Sequence, residues 1–326
     1  MPTISILTPF RNASSFIRET AASIFQQSFQ DWEWILINDH TEEEEENHLE
    51  EYLNDPRVKL ISANGKGITD ALITGFAMAA GEFVTRMDAD DIMPEQKLKS
   101  FIDQFRNNGV DIITGKVQYF SAHGEISPGY KKYEAWLNER VVLQDFYQEI
   151  YRECTLASGN WMMRTDCLRQ IGGFTGLVYP EDYDLLFRWY ENDLKIHGID
   201  EVTHLWREHP ARTSRTSKDY SQERFFDLKI RCFIEQDMKD GPLILNGTGA
   251  KGRLTAKILI EKDIPFHWVS VEPEKFGAGV YGMKIYGSSE IRDLHSIQIL
   301  NATSIGTSQV MKLYEWGNEI SRVIEL

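Results

Sequence analysis

The stretch FVTRMDADD, residues 83–91, decides the reading of this chain: an apolar β-type run that ends abruptly in four carboxylate-bearing or flanking positions, Asp88, Ala89, Asp90 and Asp91. Upstream, TISILT (3–8), EWILIN (33–38) and RVKLI (57–61) are further strand-like runs, and residues 14–27 and 68–80 carry helical patterns between them. Strands alternating with helices predict right-handed crossovers and a mostly parallel α/β sheet. In such sheets ligands bind beyond the carboxyl ends of strands, so Asp39, closing the second run, and the 88–91 cluster are expected to meet in one crevice.

Three carboxylates at one strand end are costly to hold together unless something positive neutralises them. A divalent cation that prefers oxygen ligands, Mg²⁺ or Mn²⁺, meets that need and in turn bridges the phosphates of a nucleotide. A solvated Asp-rich turn that caps the next helix is an equal reading of these residues by themselves.

Composition narrows the field. The chain has 326 residues, 42% apolar and 12% aromatic, which excludes a disordered, collagen-like or disulfide-stapled protein. Its net charge is -15, and phosphate-backbone affinity needs clustered positive charge, so a nucleic-acid partner is excluded. Residues 239–326 hold ten Lys+Arg and ten Asp+Glu, so the acidic excess lies entirely in residues 1–238. The run Glu42–Glu46 is expected to be a solvated helix start. Cys154, Cys167 and Cys232 have no paired or metal-ligand spacing and are expected to be free thiols. The opening MPTISILTPFRN has no charged segment followed by an apolar core, and no window holds ~18 uninterrupted apolar residues. The expectation is a cytoplasmic protein with no transmembrane segment. Peripheral contact with the inner face of a membrane and a homo-oligomeric state stay open.

The motifs together resemble the family-2 glycosyltransferases of the GT-A fold over roughly residues 3–215. TPFRN (8–12) is similar to that family's opening strand and loop, ILIND (35–39) to its second strand, NGKGITDAL (64–72) to the loop and helix facing the nucleotide, and RMDADD (86–91) to its DXD motif. The family's usual acidic pair is here Asn38-Asp39, and its downstream Asn is Ile73. The resemblance puts Pro9, Arg11, Asp39, Gly67, Arg86 and Asp88 against a nucleotide-diphosphate sugar and makes Asp90 the metal ligand. IGGFTGLVYPEDYDLLFRW (171–189) is similar to the family's acceptor-side segment, which implies Asp182 as catalytic base with Glu181 beside it in support. A sugar hydroxyl must lose its proton as it attacks, and a positioned carboxylate can take it. Capping of the helix that follows is compatible with that role. LWREHPARTS (205–214) resembles the late loop that closes over the diphosphate, which implies His209 on the metal or phosphate and positive charge from Arg207 and Arg212. Trp161 lies where family members face the acceptor; burial in the core is the competing reading.

The resemblance therefore implies inverting, metal-dependent transfer from a donor, with UDP favoured, to a hydroxyl of a saccharide or lipid-linked saccharide, in bacterial surface polysaccharide synthesis. Beyond a break near 236–242 a second domain is expected at 239–326. It carries LILNG, a helix from 249 to 262, the strand FHWVSVEP, the strand SIQILNA and a C-terminal helix. Gly247, Gly249 and Gly252 stand in G-x-G-x-x-G spacing after a strand and open a helix, with Glu272 twenty residues on, the context of a Rossmann phosphate-binding turn. This unit resembles the small Rossmann-like N-terminal domain of bacterial sugar acyltransferases. A second nucleotide site and a module kept only for packing are both open. Two other functions compete with sugar transfer: an NAD(P)-dependent oxidoreductase built on the glycine turn, and a non-catalytic sugar-nucleotide-binding protein.

Overall fold

The computed structural model describes residues 2–41, 49–107, 109–121, 124–277, 279–314 and 319–326; the acidic run Glu42–Glu46 lies outside them. By contacts the chain divides into two compact units, residues 1–148 with 155–216, and 149–154 with 217–326. The boundary expected at 238/239 falls later than this division. The helix Gln222–Cys232 sits in the second unit, where it packs on the helix Ala250–Glu261.

The first unit is built on a seven-stranded sheet: β1 (Ile4–Phe10), β2 (Trp32–Asn38), β3 (Val58–Ser62), β4 (Phe83–Arg86), β5 (Ile112–Phe120), β6 (Trp161–Arg164) and β7 (Ile196–Arg207), in the order β3-β2-β1-β4-β6-β5-β7. Every residue of β1 is buried, as suits a strand covered on both faces by helices. Ile17, Ile24 and Phe101 supply part of the packing around it. β1 pairs in parallel with β2 on one side and β4 on the other. The chain therefore changes direction across the sheet between β1 and β4, the place where parallel sheets open a crevice at their carboxyl ends. β6 is the reversed strand, antiparallel to both β4 and β5, with Thr85 opposite Met162. Its beginning consequently lies beside the end of β4.

The second unit is a five-stranded parallel sheet: β8 (Leu243–Asn246), β9 (His267–Val269), β10 (Ile285–Tyr286), β11 (Ile297–Asn301) and β12 (Ile320–Glu325), in the order β10-β9-β8-β11-β12. Ile244, Val269, Ile297, Ile299 and Val310 form its core. Two expectations are corrected here. The chain ends in β12 after the helix Thr307–Leu313, so a strand, not a helix, completes the unit. β9 stops at Val269, so Glu272 lies beyond the strand in an exposed segment, paired with Lys275 at 2.6 Å.

Candidate active site

The crevice of the first unit forms where β1, β2 and β4 end. Asp39 follows β2 and is 7% exposed; its Oδ1 and Oδ2 both accept the Gly67 N–H, at 2.9 and 3.1 Å. Two residues expected at the nucleotide are thereby joined. Gly67 has φ 96°, and a Cβ there would stand 2.9 Å from the Tyr179 hydroxyl, so both conformation and space select glycine. Pro9 is buried in β1, whereas Arg11, just past its end, is exposed.

The DADD segment spreads its carboxylates to separate duties. Asp88 accepts from Arg86 Nε at 2.6 Å through Oδ1 and from the Ser158 hydroxyl at 2.8 Å through Oδ2. Asp90 Oδ2 stands 2.9 Å from His209 Nε2, and the His209 ring leans on Phe16 at 4.5 Å between centroids. Asp91 is turned inward and is 1% exposed. It accepts the Arg207 backbone N–H at 2.8 Å and shares a 2.9 Å hydrogen bond with His204 Nε2. Burial, then the charges of Asp90 and Asp88, push the Asp91 carboxyl up. Burial and the neighbouring cations of Lys97, Arg212 and Arg86 push the His204 imidazole down. Asp91 is thus a brace between the DADD segment and β7. Lys97, also buried, donates to the Gly159 carbonyl at 2.6 Å, and burial lowers its ammonium to about 7 against the attraction of Asp91 and Asp88.

The acceptor-side segment closes the other wall. The helix Glu181–Glu191 opens with Glu181 and Asp182 in its first turn. Glu181 is 2% exposed and receives Arg86 Nη1 at 2.9 Å. Asp182 faces a cavity lined by Leu72, Ser158, Trp161, Phe174, Leu177 and Leu185, with Arg86 and Glu181. Desolvation by these walls, and next the Glu181 charge, push the Asp182 carboxyl up to about 7, opposed by Arg86. A carboxyl so placed changes protonation near neutrality, as a general base must. Trp161 is 3% exposed, edge-on to Trp189 at 5.4 Å, and forms part of the cavity wall.

The arginines expected to supply positive charge are engaged inside the protein. Arg86 pairs with Asp88 and Glu181, Arg207 with Glu19 at 2.9 Å and the Asp90 carbonyl at 2.6 Å, and Arg212 with Glu208 at 3.1 Å. Arg212 also lies over Trp206, 5.0 Å from its ring centroid. Ser158, Lys97 and His204 belong to the site without any sequence motif of their own. Nothing local marks them, because their partners Asp88, Gly159 and Asp91 are tens of residues away.

Among the described residues no group of three or more His, Cys, Asp or Glu is assembled for a metal ion. The pair Asp90 and His209 fits a cation of the Mg²⁺ or Mn²⁺ kind, which takes one or two protein ligands and completes its shell with water and substrate phosphates.

In the second unit Gly247 has φ 114°, and a Cβ on Gly252 would lie 2.0 Å from the Gly247 carbonyl oxygen. A Cβ on Gly247 would also meet the Thr303 side chain at 2.7 Å, while Gly249 faces open space.

The seven-stranded sheet, with a crevice at its switch point, is a fold of the GT-A kind. The family model "Glycosyl transferase family 2" matches residues 5–172, and the chain belongs to that family. It is 28% identical over 189 residues to an uncharacterized glycosyltransferase of Haemophilus influenzae, covering 56% of this chain and 56% of that protein. The chain thus spans just over half the length of that relative. It is 28% identical over 241 residues to the UDP-Glc:alpha-D-GlcNAc-diphosphoundecaprenol beta-1,3-glucosyltransferase WfgD of Escherichia coli, covering 74% of this chain and 88% of that one. Among solved structures it is similar to S. aureus TarS in complex with UDP-GlcNAc, with TM-score 0.54 and 17% identity over 79% of this chain and 71% of that one. It is similar also to the mannosyltransferase PcManGT of Pyrobaculum calidifontis in complex with GDP-Man and Mn²⁺, with TM-score 0.54 and 16% identity over 73% and 65%. Both likenesses carry the fold. Among the described residues no helix is long and apolar enough to cross a membrane.

Proposed function

We propose that the chain transfers a sugar from a nucleotide-diphosphate sugar, with UDP the favoured nucleotide, to a hydroxyl of a saccharide or lipid-linked saccharide, inverting the anomeric carbon. The observation that carries this reading is the placement of Asp182 in a partly apolar cavity with Arg86 and Ser158, the two residues that hold Asp88 of the DADD segment; burial there pushes its carboxyl up to about 7. Asp182 takes the proton of the acceptor hydroxyl as that oxygen bonds to the anomeric carbon. The bond from that carbon to the diphosphate oxygen breaks on the opposite face, the nucleoside diphosphate leaves, and the proton rests on Asp182. One base and back-side attack suffice, so no covalent intermediate is needed.

Asp90 and His209 would hold the divalent cation, which when bound supplies Lewis-acid stabilisation of the charge on the diphosphate. Asp88, anchored through both oxygens, and Asp39 with Gly67 shape the donor side. The similarity to WfgD, named as a UDP-Glc:alpha-D-GlcNAc-diphosphoundecaprenol glucosyltransferase, and to TarS in complex with UDP-GlcNAc supports the UDP and lipid-linked choices. That to PcManGT in complex with Mn²⁺ supports the metal.

The test is a thermal-shift screen of UDP- and GDP-sugars with and without Mn²⁺, followed by NMR assignment of the product's anomeric configuration. Binding without any Mn²⁺ dependence, or a product that retains configuration, would overturn the reading.

A further inference from the structure

Arg86 touches both acidic motifs. Its Nε is 2.6 Å from Asp88 Oδ1 on the donor side, and its Nη1 is 2.9 Å from Glu181 Oε1 on the acceptor side. All three side chains are largely buried, at 6%, 18% and 2% exposure. A buried carboxylate without a cation is strongly unfavourable, so the pairing fixes where Glu181 can sit. Glu181 and Asp182 are consecutive in the first turn of one helix, and holding the first sets the second.

We propose that Arg86 is a positioning residue which, through Glu181, holds the carboxyl of Asp182 in place and ties its protonation to the donor side of the crevice. The inference rests on the reading of Asp182 as the base. Among the described residues, the charges that act on Asp182 are Glu181 on its own helix and Arg86 and Asp88 from β4 and the loop after it. The other cavity walls, Leu72, Ser158, Trp161, Phe174, Leu177 and Leu185, carry no group that titrates near neutrality. Glu181 raises the Asp182 carboxyl and Arg86 lowers it. Removing either partner must therefore move it in opposite directions.

The experiment titrates the γ-carboxyl of Asp182 by NMR in full-length protein labelled with [¹³C]aspartate, the resonance being assigned by its loss in Asp182→Asn. Arg86→Gln is expected to raise the Asp182 midpoint and Glu181→Gln to lower it, each by about one unit. The double variant should return near the parent, and Arg86→Lys should keep most of the parent value. Shifts of the same sign in both single variants, or no shift in either, would overturn the proposal. If Arg86→Gln alone does not fold, the double variant is compared with Glu181→Gln, and no rise in the Asp182 midpoint on the loss of Arg86 would overturn the proposal. No turnover is needed, so a chain that transfers no sugar would sink the base assignment while the titration still judged the Arg86 link.

Discussion

His209 Nε2 stands 2.9 Å from Asp90 Oδ2, although 119 positions of chain separate the two residues. As the proposed ligands of a divalent cation, the two would leave the rest of its shell to water and diphosphate. Asp90→Ala is expected to abolish the Mn²⁺ dependence of nucleotide affinity, and His209→Ala to weaken it. Calorimetry with and without chelator measures both. Equal affinity in the two conditions for the parent protein would rule out the assignment.

Asp182→Asn should cut transfer by ~10²–10⁴ while nucleotide affinity changes only a few-fold. Loss of binding would mark Asp182 as structural instead.

The same substitution should stabilise the protein. In the fold Asp182 holds its proton up to about 7, from an ordinary value of 3.8, so between those limits the folded state binds more protons than the unfolded one. Stability contributed by this site is present at low pH and is lost as pH rises through that window. Asparagine carries no such loss. The melting temperature of Asp182→Asn should exceed that of the parent at pH 8, and by more than at pH 5. In the parent, kcat/KM should fall below an acid limb near 7, where the base becomes protonated.

Asp91 should behave unlike its neighbours. Asp91→Ala removes the acceptor of the Arg207 N–H and the partner of His204, both in the interior, and should cost about 2–4 kcal/mol in denaturant unfolding. Asp91→Asn, which keeps an acceptor, should cost less. An alanine variant as stable as the parent would remove the brace.

The glycine turn of the second unit offers a graded series. Gly252→Ala should destabilise by about 1–3 kcal/mol, since its methyl would meet the Gly247 carbonyl oxygen at 2.0 Å. Gly249→Ala, facing open space, should be neutral by the same measurement. A large cost at Gly249 would show that the turn packs differently.

Local pattern carried much of the first unit. The expected strands at 3–8, 33–38, 57–61 and 83–87 correspond to β1 to β4 within one or two residues, because continuous apolar runs between polar turns are self-announcing. The end of the chain was not legible in this way. ISRVIE places charges at spacings that suit a helix surface as well as a strand, and only pairing with β11 decides between them. The site shows the same division. DADD stands out by its cluster of carboxylates and the Glu181-Asp182 pair by the family resemblance, whereas Arg207 meeting Glu19, or Arg86 spanning two motifs, depends on contacts between distant segments. Arg207 and Arg212 looked available for phosphate, and their internal partners show that a count of cations in a loop does not reveal which remain unclaimed.

A sheet whose strands all ran one way would offer the crevice only chain that is leaving a strand. The reversal of β6 adds a segment on its way in, so Ser158, from the connection that follows β5, and Trp161, the first residue of β6, both reach the site. That wall of the cavity therefore lies outside the pairing of β1 with β2 and β4, so the residues that line it are set by a different part of the chain from those that close the first two strands.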